Sequence, residues 1–325
     1  MLLYRYHKIT NMGIPKLNKL LLEKCENTEL IKKINLKELS GKTIAIDTSI
    51  YLYKFSAQER LIENFYLLIS IFTNNNITPL FVFDGKPPPE KAELLQKRKI
   101  NKKAAQFKYD KLQEKLENGE ELSKTEIGEI NKEMDKLKKD FIRIKDCDIK
   151  SIQELLDFSG ITYYTCEGEA DLLCCKLVMS GQAWACLSDD MDLFVYGCTR
   201  ILRYISILKG TVLYYDTIGI FQHLNISSTD FKQIISLSGT DYNLENNMNI
   251  YKCFDYYENY KKDLNYDSSF YDWLEKKGII KNGDDLIEIC KLFDTDIYIH
   301  YSKIQNTKNM KLLNEKLVEN DFVFV

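Results

Sequence analysis

Histidine is scarce in this chain: His7, His223 and His300 are the only three, and their separation argues against a His-based zinc site. No Cys-x-x-Cys pair occurs among the nine cysteines, and an odd number without framework spacing points to reduced thiols in an intracellular protein. No apolar run approaches the roughly 20 residues needed to span a bilayer. Met1-Leu2-Leu3 is too short for the h-region of a signal peptide. Together these absences point to an intracellular protein, neither secreted nor membrane-bound. No internal repeat is present. Nor is there a large excess of charge: the net value is −3 over 325 residues, so any basic surface for an acidic partner has to be local.

What the chain does have is a repeated local theme. Thr43-Ile44-Ala45-Ile46 is apolar and stops at Asp47; Leu80-Phe81-Val82-Phe83 stops at Asp84, before Gly85. Ala183–Leu187 stops at Ser188-Asp189-Asp190, and Ile161–Cys166 runs into Glu167-Gly168-Glu169. Short apolar runs of this kind, separated by helical patterns, read as buried strands of a parallel sheet. Helices are expected at Ile62–Thr73, at Ile149–Phe158 before Ser159-Gly160, and at Ala170–Met179 before Ser180-Gly181. In open α/β sheets ligands sit beyond the carboxyl ends of the strands, so the acidic residues are expected to share one rim.

Between Pro89 and Lys145 apolar residues thin out and Lys, Glu and Gln dominate. This stretch reads as an inserted pair of charged helices, interrupted at Gly119 and Gly128. Its first part is basic (Lys91, Lys97, Arg98, Lys99, Lys102, Lys103 and onward to Lys115), a pattern that suits either a solvated face or phosphate binding. Beyond about residue 245 a Tyr- and Asn-rich region reads as short helices packed on the main domain.

The rim gathers Asp47, Asp84, Glu167, Glu169, Asp190, Asp192 and Asp241. Residues two apart point the same way in an extended or turning segment, whereas in a helix they diverge by roughly 200°. Glu167/Glu169 and Asp190/Asp192 fall at strand-to-helix junctions, where each pair can aim at one point. One Asp after a strand is commonly a helix cap or turn residue, and Asp189 reads that way. Seven acids that include two such pairs are better read as a cation site, because like charges at close range raise each other's pKa unless cations intervene. An all-oxygen donor set selects Mg²⁺ or Mn²⁺ over Zn²⁺. Two such ions about 4 Å apart clamp the attacking and leaving oxygens of a phosphodiester displacement. A phosphatase with a nucleophilic Asp is excluded, because Asp47 is followed by Thr48-Ser49 and not by a second Asp two residues on.

Six ordered motifs carry a family resemblance: Met12–Leu17 (MGIPKL), Ile44–Ser49 (IAIDTS), Phe81–Pro88 (FVFDGKPP), Glu167–Asp171 (EGEAD), Asp190-Met191-Asp192 and Gly239–Tyr242 (GTDY). The chain resembles the flap endonuclease/XPG family of structure-specific 5′ nucleases over roughly residues 12 to 242. The resemblance implies an α/β, PIN-like fold: a central, mainly parallel sheet, a helical arch inserted at about 91–145 and a C-terminal helical region. Residues 12–245 form the expected nuclease domain, 246–325 the C-terminal region, and 1–11 an extension ahead of a start at Met12. The resemblance also implies two Mg²⁺ ions, for which Mn²⁺ substitutes, bound by the seven carboxylates. The expected reaction is hydrolysis of DNA near single-strand/duplex junctions, leaving 5′-phosphates, in replication, repair or recombination. Lys91 and Arg98 match the family's basic pair on the scissile phosphate. Tyr53 matches an aromatic that stacks on a base near the cut, although a core tyrosine is the other reading. Gly13 matches a glycine close to DNA, and Lys97, Lys99, Lys102 and Lys103 are further candidate DNA contacts.

The departures bear on substrate choice. Where the family carries a glycine-rich hairpin for duplex binding, residues 243–252 contain no glycine. Residues 319–325 lack the pattern of a sliding-clamp ligand. Leu68 and Ile71 stand where relatives carry basic residues. A 5′-flap endonuclease acting on branched, flapped, nicked or gapped DNA therefore remains beside a junction resolvase, a 5′ exonuclease on nicked, gapped or RNA ends, and a DNA-binding scaffold without catalysis.

Overall fold

The computed structural model describes residues 13–118, 122–243, 248–263 and 268–322. The extension at 1–11, Met12, residues 244–247 of the glycine-free segment and the last three residues lie outside the described residues. Eight strands form one sheet: β1 (Ile31–Asn35), β2 (Thr43–Asp47), β3 (Thr78–Phe83), β4 (Tyr163–Cys166), β5 (Ala185–Leu187), β6 (Arg200–Ser206), β7 (Thr211–Asp216) and β8 (Tyr301–Ile304). The helices are α1 (Leu17–Lys24), α2 (Thr48–Ser56), α3 (Leu61–Asn74), α4 (Ala92–Glu117), α5 (Lys124–Asp140), α6 (Asp146–Ser159) and α7 (Ala170–Met179). They continue as α8 (Asp192–Val195), α9 (Thr217–His223), α10 (Ser228–Ser238), α11 (Ile250–Lys262), α12 (Phe270–Lys276), α13 (Asp284–Leu292) and α14 (Met310–Glu319).

The described chain falls into two compact units. The first contains residues up to Thr48, Ile69–Pro87 and Thr162–Ile304; the second contains Ser49–Leu68, Pro88–Ile161 and the chain from Gln305 on. In the first unit the strand order is β1-β7-β6-β5-β2-β3-β4-β8. The middle five, β6 to β4, run parallel, and β1, β7 and β8 extend the sheet antiparallel at its two sides. The four expected runs are the centre of this sheet. Ile44, Ala45, Ile46, Phe81, Val82, Ala185, Cys186 and Leu187 are fully buried, as strands covered on both faces must be. Helix α7 packs on β2, β3, β4 and β5. A core around Leu17, Phe194, Tyr215, Phe231, Phe254 and Trp273 ties α1, α10, α11 and α12 to the sheet strands. All nine cysteines are free, and Cys147 alone is exposed.

In the second unit α4 and α5 pack on each other through Ala105 and Ile130, with Tyr109 edge-on to Phe141 at 5.3 Å. Helices α6 and α14 are joined by the Lys316–Glu154 pair at 2.8 Å and by the Asn309 N–H on the Phe158 carbonyl, also at 2.8 Å.

Two expectations are corrected. Gly128 lies inside α5 and does not interrupt it: Ser123 and Glu126 close a capping box at the helix start, and helix-forming neighbours outweigh one glycine. The C-terminal region is not wholly helical, because β8 pairs with β4 from Tyr163↔Ile304 to Cys166↔Tyr301. Its sequence, YSKI, is exposed along almost its whole length and carries no apolar run to mark it. Residues 248–304 lie in the first unit and the chain from Gln305 in the second.

Candidate active site

Strands β5, β2, β3 and β4 are adjacent and parallel, so their carboxyl ends lie side by side. Asp47 ends β2, Asp84 follows β3, Glu167 and Glu169 follow β4, and Asp190 and Asp192 follow β5. Asp47 and Asp192 are buried, Asp190 and Glu169 half-buried, Asp84 and Glu167 exposed. The rim thus grades from a buried floor to an open lip.

Hydrogen bonds between the strand ends tie the rim together. The Ser188 hydroxyl donates to Asp47 Oδ2 at 3.0 Å and accepts the Asp190 N–H at 3.1 Å, joining the ends of β2 and β5. The Asp192 N–H donates to Asp190 Oδ1 at 3.0 Å. Asp84 Oδ1 accepts the N–H of Ala170 at 2.6 Å, so a carboxylate from β3 caps the start of α7 directly after Glu169. Asp241 comes from the loop after α10. Its neighbour Tyr242 donates its hydroxyl to Glu169 Oε2 at 3.0 Å. Asn243 closes the same loop by accepting from the Thr240 N–H at 2.6 Å and donating to the Ser236 carbonyl at 2.8 Å. In the sequence, Ser188, Tyr242 and Asn243 are marked for these contacts only by their places beside acidic motifs.

Two glycines make room. Gly13, at φ +70°, lies so close to the rim that a Cβ there would stand 2.5 Å from Asp190 Oδ1 and 3.1 Å from Asp192 Oδ1. Its closeness to these carboxylates is the structural reason for glycine. At Gly85 a Cβ would fall on the Cys166 carbonyl oxygen, and the Gly85 N–H donates to the Gly168 carbonyl at 2.8 Å.

Among the described residues no three His, Cys, Asp or Glu side chains are drawn together tightly enough to hold a metal ion. Carboxylates of one sign repel, and the rim spreads its donors over four strand ends. The donor chemistry nonetheless fits a hard cation: every candidate ligand is a carboxylate. The nearby thiols are unsuited. Burial holds the Cys166 thiol up at about 12, with the Asp84 charge adding to it, and burial raises Cys174 as well, so neither offers a thiolate.

The remaining predicted residues belong to the second unit. Lys91 is buried in the turn before α4, while Lys97, Arg98, Lys99 and Lys103 are exposed along α4. Tyr53 is 41% exposed, so it is not a core tyrosine. It borders a cavity of about 460 Å³ lined also by Arg98, Lys99, Lys102, Lys139 and Arg143. Lys102 Nζ lies 4.9 Å from the Tyr53 ring centre and donates to the Ile142 carbonyl at 3.0 Å. Burial depresses the Lys102 pKa, and the Arg143 and Arg98 charges depress it further. Lys139 and Arg143 lie beyond the basic run that reaches Lys115, and only the fold brings them to this cavity.

With this geometry in place, the comparisons are specific. Residues 12–105 match the XPG N-terminal domain and residues 160–241 the XPG I-region, together more than half of the chain. The chain belongs to the flap endonuclease/XPG family. It is 29% identical to flap endonuclease 1 of Lodderomyces elongisporus over 251 residues, which are 71% of this chain and 61% of that protein. To flap endonuclease 1 of Methanococcus aeolicus it is 29% identical over 230 residues, 66% of each chain. This family member thus spans just under two thirds of the length of the curated relatives it matches. Among solved structures, the catalytic core of Rad2 in complex with DNA substrate superimposes with a TM-score of 0.63 at 20% identity, covering 94% of this chain and 95% of that one. The α/β, PIN-like fold expected from the motifs is the fold of the chain. Among the described residues no helix is long and apolar enough to cross a membrane.

Proposed function

We propose that this chain is a Mg²⁺-dependent, structure-specific DNA nuclease that hydrolyses phosphodiesters near single-strand/duplex junctions, 5′ flaps above all, within the cell. One observation carries the reading: the ends of four adjacent parallel strands present six carboxylates on one rim, cross-tied by Ser188 and Asp84, with Asp241 held alongside through Tyr242. The matched regions of the flap endonucleases support it. Asp47, Asp84, Glu167 and Glu169 would hold one divalent ion, and Asp190, Asp192 and Asp241 the other. A bound pair supplies charge neutralisation for an in-line phosphoryl displacement. Lys91 and Arg98 contact backbone phosphate, where fixed positive charge favours the more negative transition state. Tyr53 stacks on a base, for which its exposure suits it, and Lys97, Lys99, Lys102 and Lys103 bind the strand by charge. The product carries a 5′-phosphate, and the reaction serves replication, repair or recombination.

The test offers the full chain 5′-labelled flaps, nicks, gaps, four-way junctions and RNA ends in Mg²⁺, with Asp190→Ala and EDTA as controls. Cutting at the flap base that both controls abolish, with DNA binding retained by Asp190→Ala, is the expected result. Preferred cutting of junctions or gaps redirects the enzyme to resolution or exonucleolysis. Undiminished cleavage by Asp190→Ala removes the site assignment.

A further inference from the structure

The Asp189–Asp190 peptide is held at both of its polar atoms. Its carbonyl oxygen, on Asp189, accepts from Arg203 Nη2 at 2.5 Å; its N–H, on Asp190, donates to Ser188 Oγ at 3.1 Å. With both groups bonded the peptide plane is restrained, and that plane together with φ of Asp190 sets the direction in which its side chain leaves the backbone. Arg203 is 3% exposed, a costly position for a guanidinium. Its surroundings serve both terminal nitrogens, while Nε is buried without a hydrogen-bond partner among the described residues. Nη1 donates to Asn18 Oδ1 at 2.9 Å, an atom that also accepts from the Tyr215 hydroxyl at 2.6 Å. The guanidinium carbon lies 4.6 Å from the Tyr204 ring centre and 5.7 Å from that of Tyr215.

The backbone beside it is strained in the same cause. The β6–β7 register shifts between Arg203 and Ser206, and Tyr204 takes φ 55°, a left-handed conformation unfavourable for an aromatic residue. That conformation aims the Tyr204 N–H at Asp189 Oδ1, 2.8 Å away. Asp189 is therefore a buried anchor and not an ion ligand, and strain of this kind persists where the surroundings over-determine it. Asn18 lies on α1, five residues after the Gly13 that abuts Asp190.

We propose that Arg203, supported by Asn18 and by the strained Tyr204 backbone, is a positioning residue that presents the Asp190 carboxylate for divalent-ion binding; this rests on the reading of Asp190 as an ion ligand. Mn²⁺ binding to the full chain, followed by the electron paramagnetic resonance of free Mn²⁺, tests it without relying on turnover. Arg203→Met is expected to weaken Mn²⁺ binding about tenfold or more. It lowers kcat on a flap substrate with KM for DNA little changed. Asn18→Leu weakens Mn²⁺ binding in the same direction, and Asn18→Asp, which keeps the acceptor, restores it. Leu286→Ala, a buried change on α13, lowers the unfolding midpoint and leaves Mn²⁺ affinity at the wild-type value. Folded Arg203→Met with wild-type Mn²⁺ affinity overturns the proposal, as does an equal loss in Leu286→Ala. Should Arg203→Met fail to fold, Asn18→Leu decides: wild-type affinity in that variant overturns the proposal. Asp190→Ala separates the two levels. If it binds Mn²⁺ as the wild type does, the ion-ligand reading fails and the positioning role with it; if it loses binding while Arg203→Met does not, only the positioning role fails.

Discussion

Ser188 shows how much one hydroxyl can carry. It is fully buried, and its single oxygen serves a carboxylate of β2 and a backbone N–H beyond β5. Ser188→Ala leaves the buried Asp47 carboxylate and the half-buried Asp190 N–H each short of a bond, a loss of about 1–3 kcal/mol. Urea unfolding is expected to register that loss, and Mn²⁺ affinity is expected to fall with it, because Asp47 and Asp190 are then no longer held in register. An unchanged midpoint together with unchanged affinity would contradict this account. Six of the seven carboxylates were legible in the sequence, since each follows an apolar run or lies in an acid-x-acid pair; Asp241, after Ser238-Gly239-Thr240, is marked only by its motif. The groups that aim them were not. Serine, tyrosine and arginine beside a strand are unremarkable until folding shows what they touch.

At the scale of elements, α4 and α5 were legible as a charged insertion, but which of their charges share a surface was not. Lys102, on α4, is flanked by Arg98 one turn away and by Arg143 beyond the end of α5. Burial first, and these two cations second, make its protonated form less favourable than in the unfolded chain. By linkage, the stability contributed by this group rises as pH climbs from the depressed folded value toward the ordinary lysine value. DNA binding has the opposite sign, because discharge removes a phosphate contact. Affinity for single-stranded DNA is expected to fall at a pH below the ordinary lysine range, and Lys102→Arg, which stays charged, is expected to remove that fall. Lys102→Ala is expected to flatten the dependence of log K on log salt by about 0.7, one phosphate on a single strand. Salt titrations of a labelled oligonucleotide at two pH values measure both. A slope unmoved by the substitution places Lys102 off the DNA path.

At the scale of the whole molecule, the expected domain boundary near residue 245 suggests that a shorter chain would suffice. The pairing of β8 with β4, and the packing of α10 against α11 and α13, say otherwise. A chain ending at residue 245 is expected to lose cooperative unfolding and to aggregate through the uncovered edge of β4. Size-exclusion chromatography and a thermal scan decide, and a soluble monomer with a sharp transition would refute it. The sequence by itself determined the parallel centre of the sheet, the helix α7 that packs on it and the acidic rim. All of these are written in short-range patterns: apolar runs that end in acids, caps, and glycine stops. Only the tertiary structure decided how the rim is held, and which late strand completes the sheet. Ser188 meets Asp47 across 141 positions, Tyr242 meets Glu169 across 73, and Arg203 meets Asn18 across 185. A bond between residues so distant leaves no local periodicity to read, and an exposed four-residue edge strand has no apolar face to announce it.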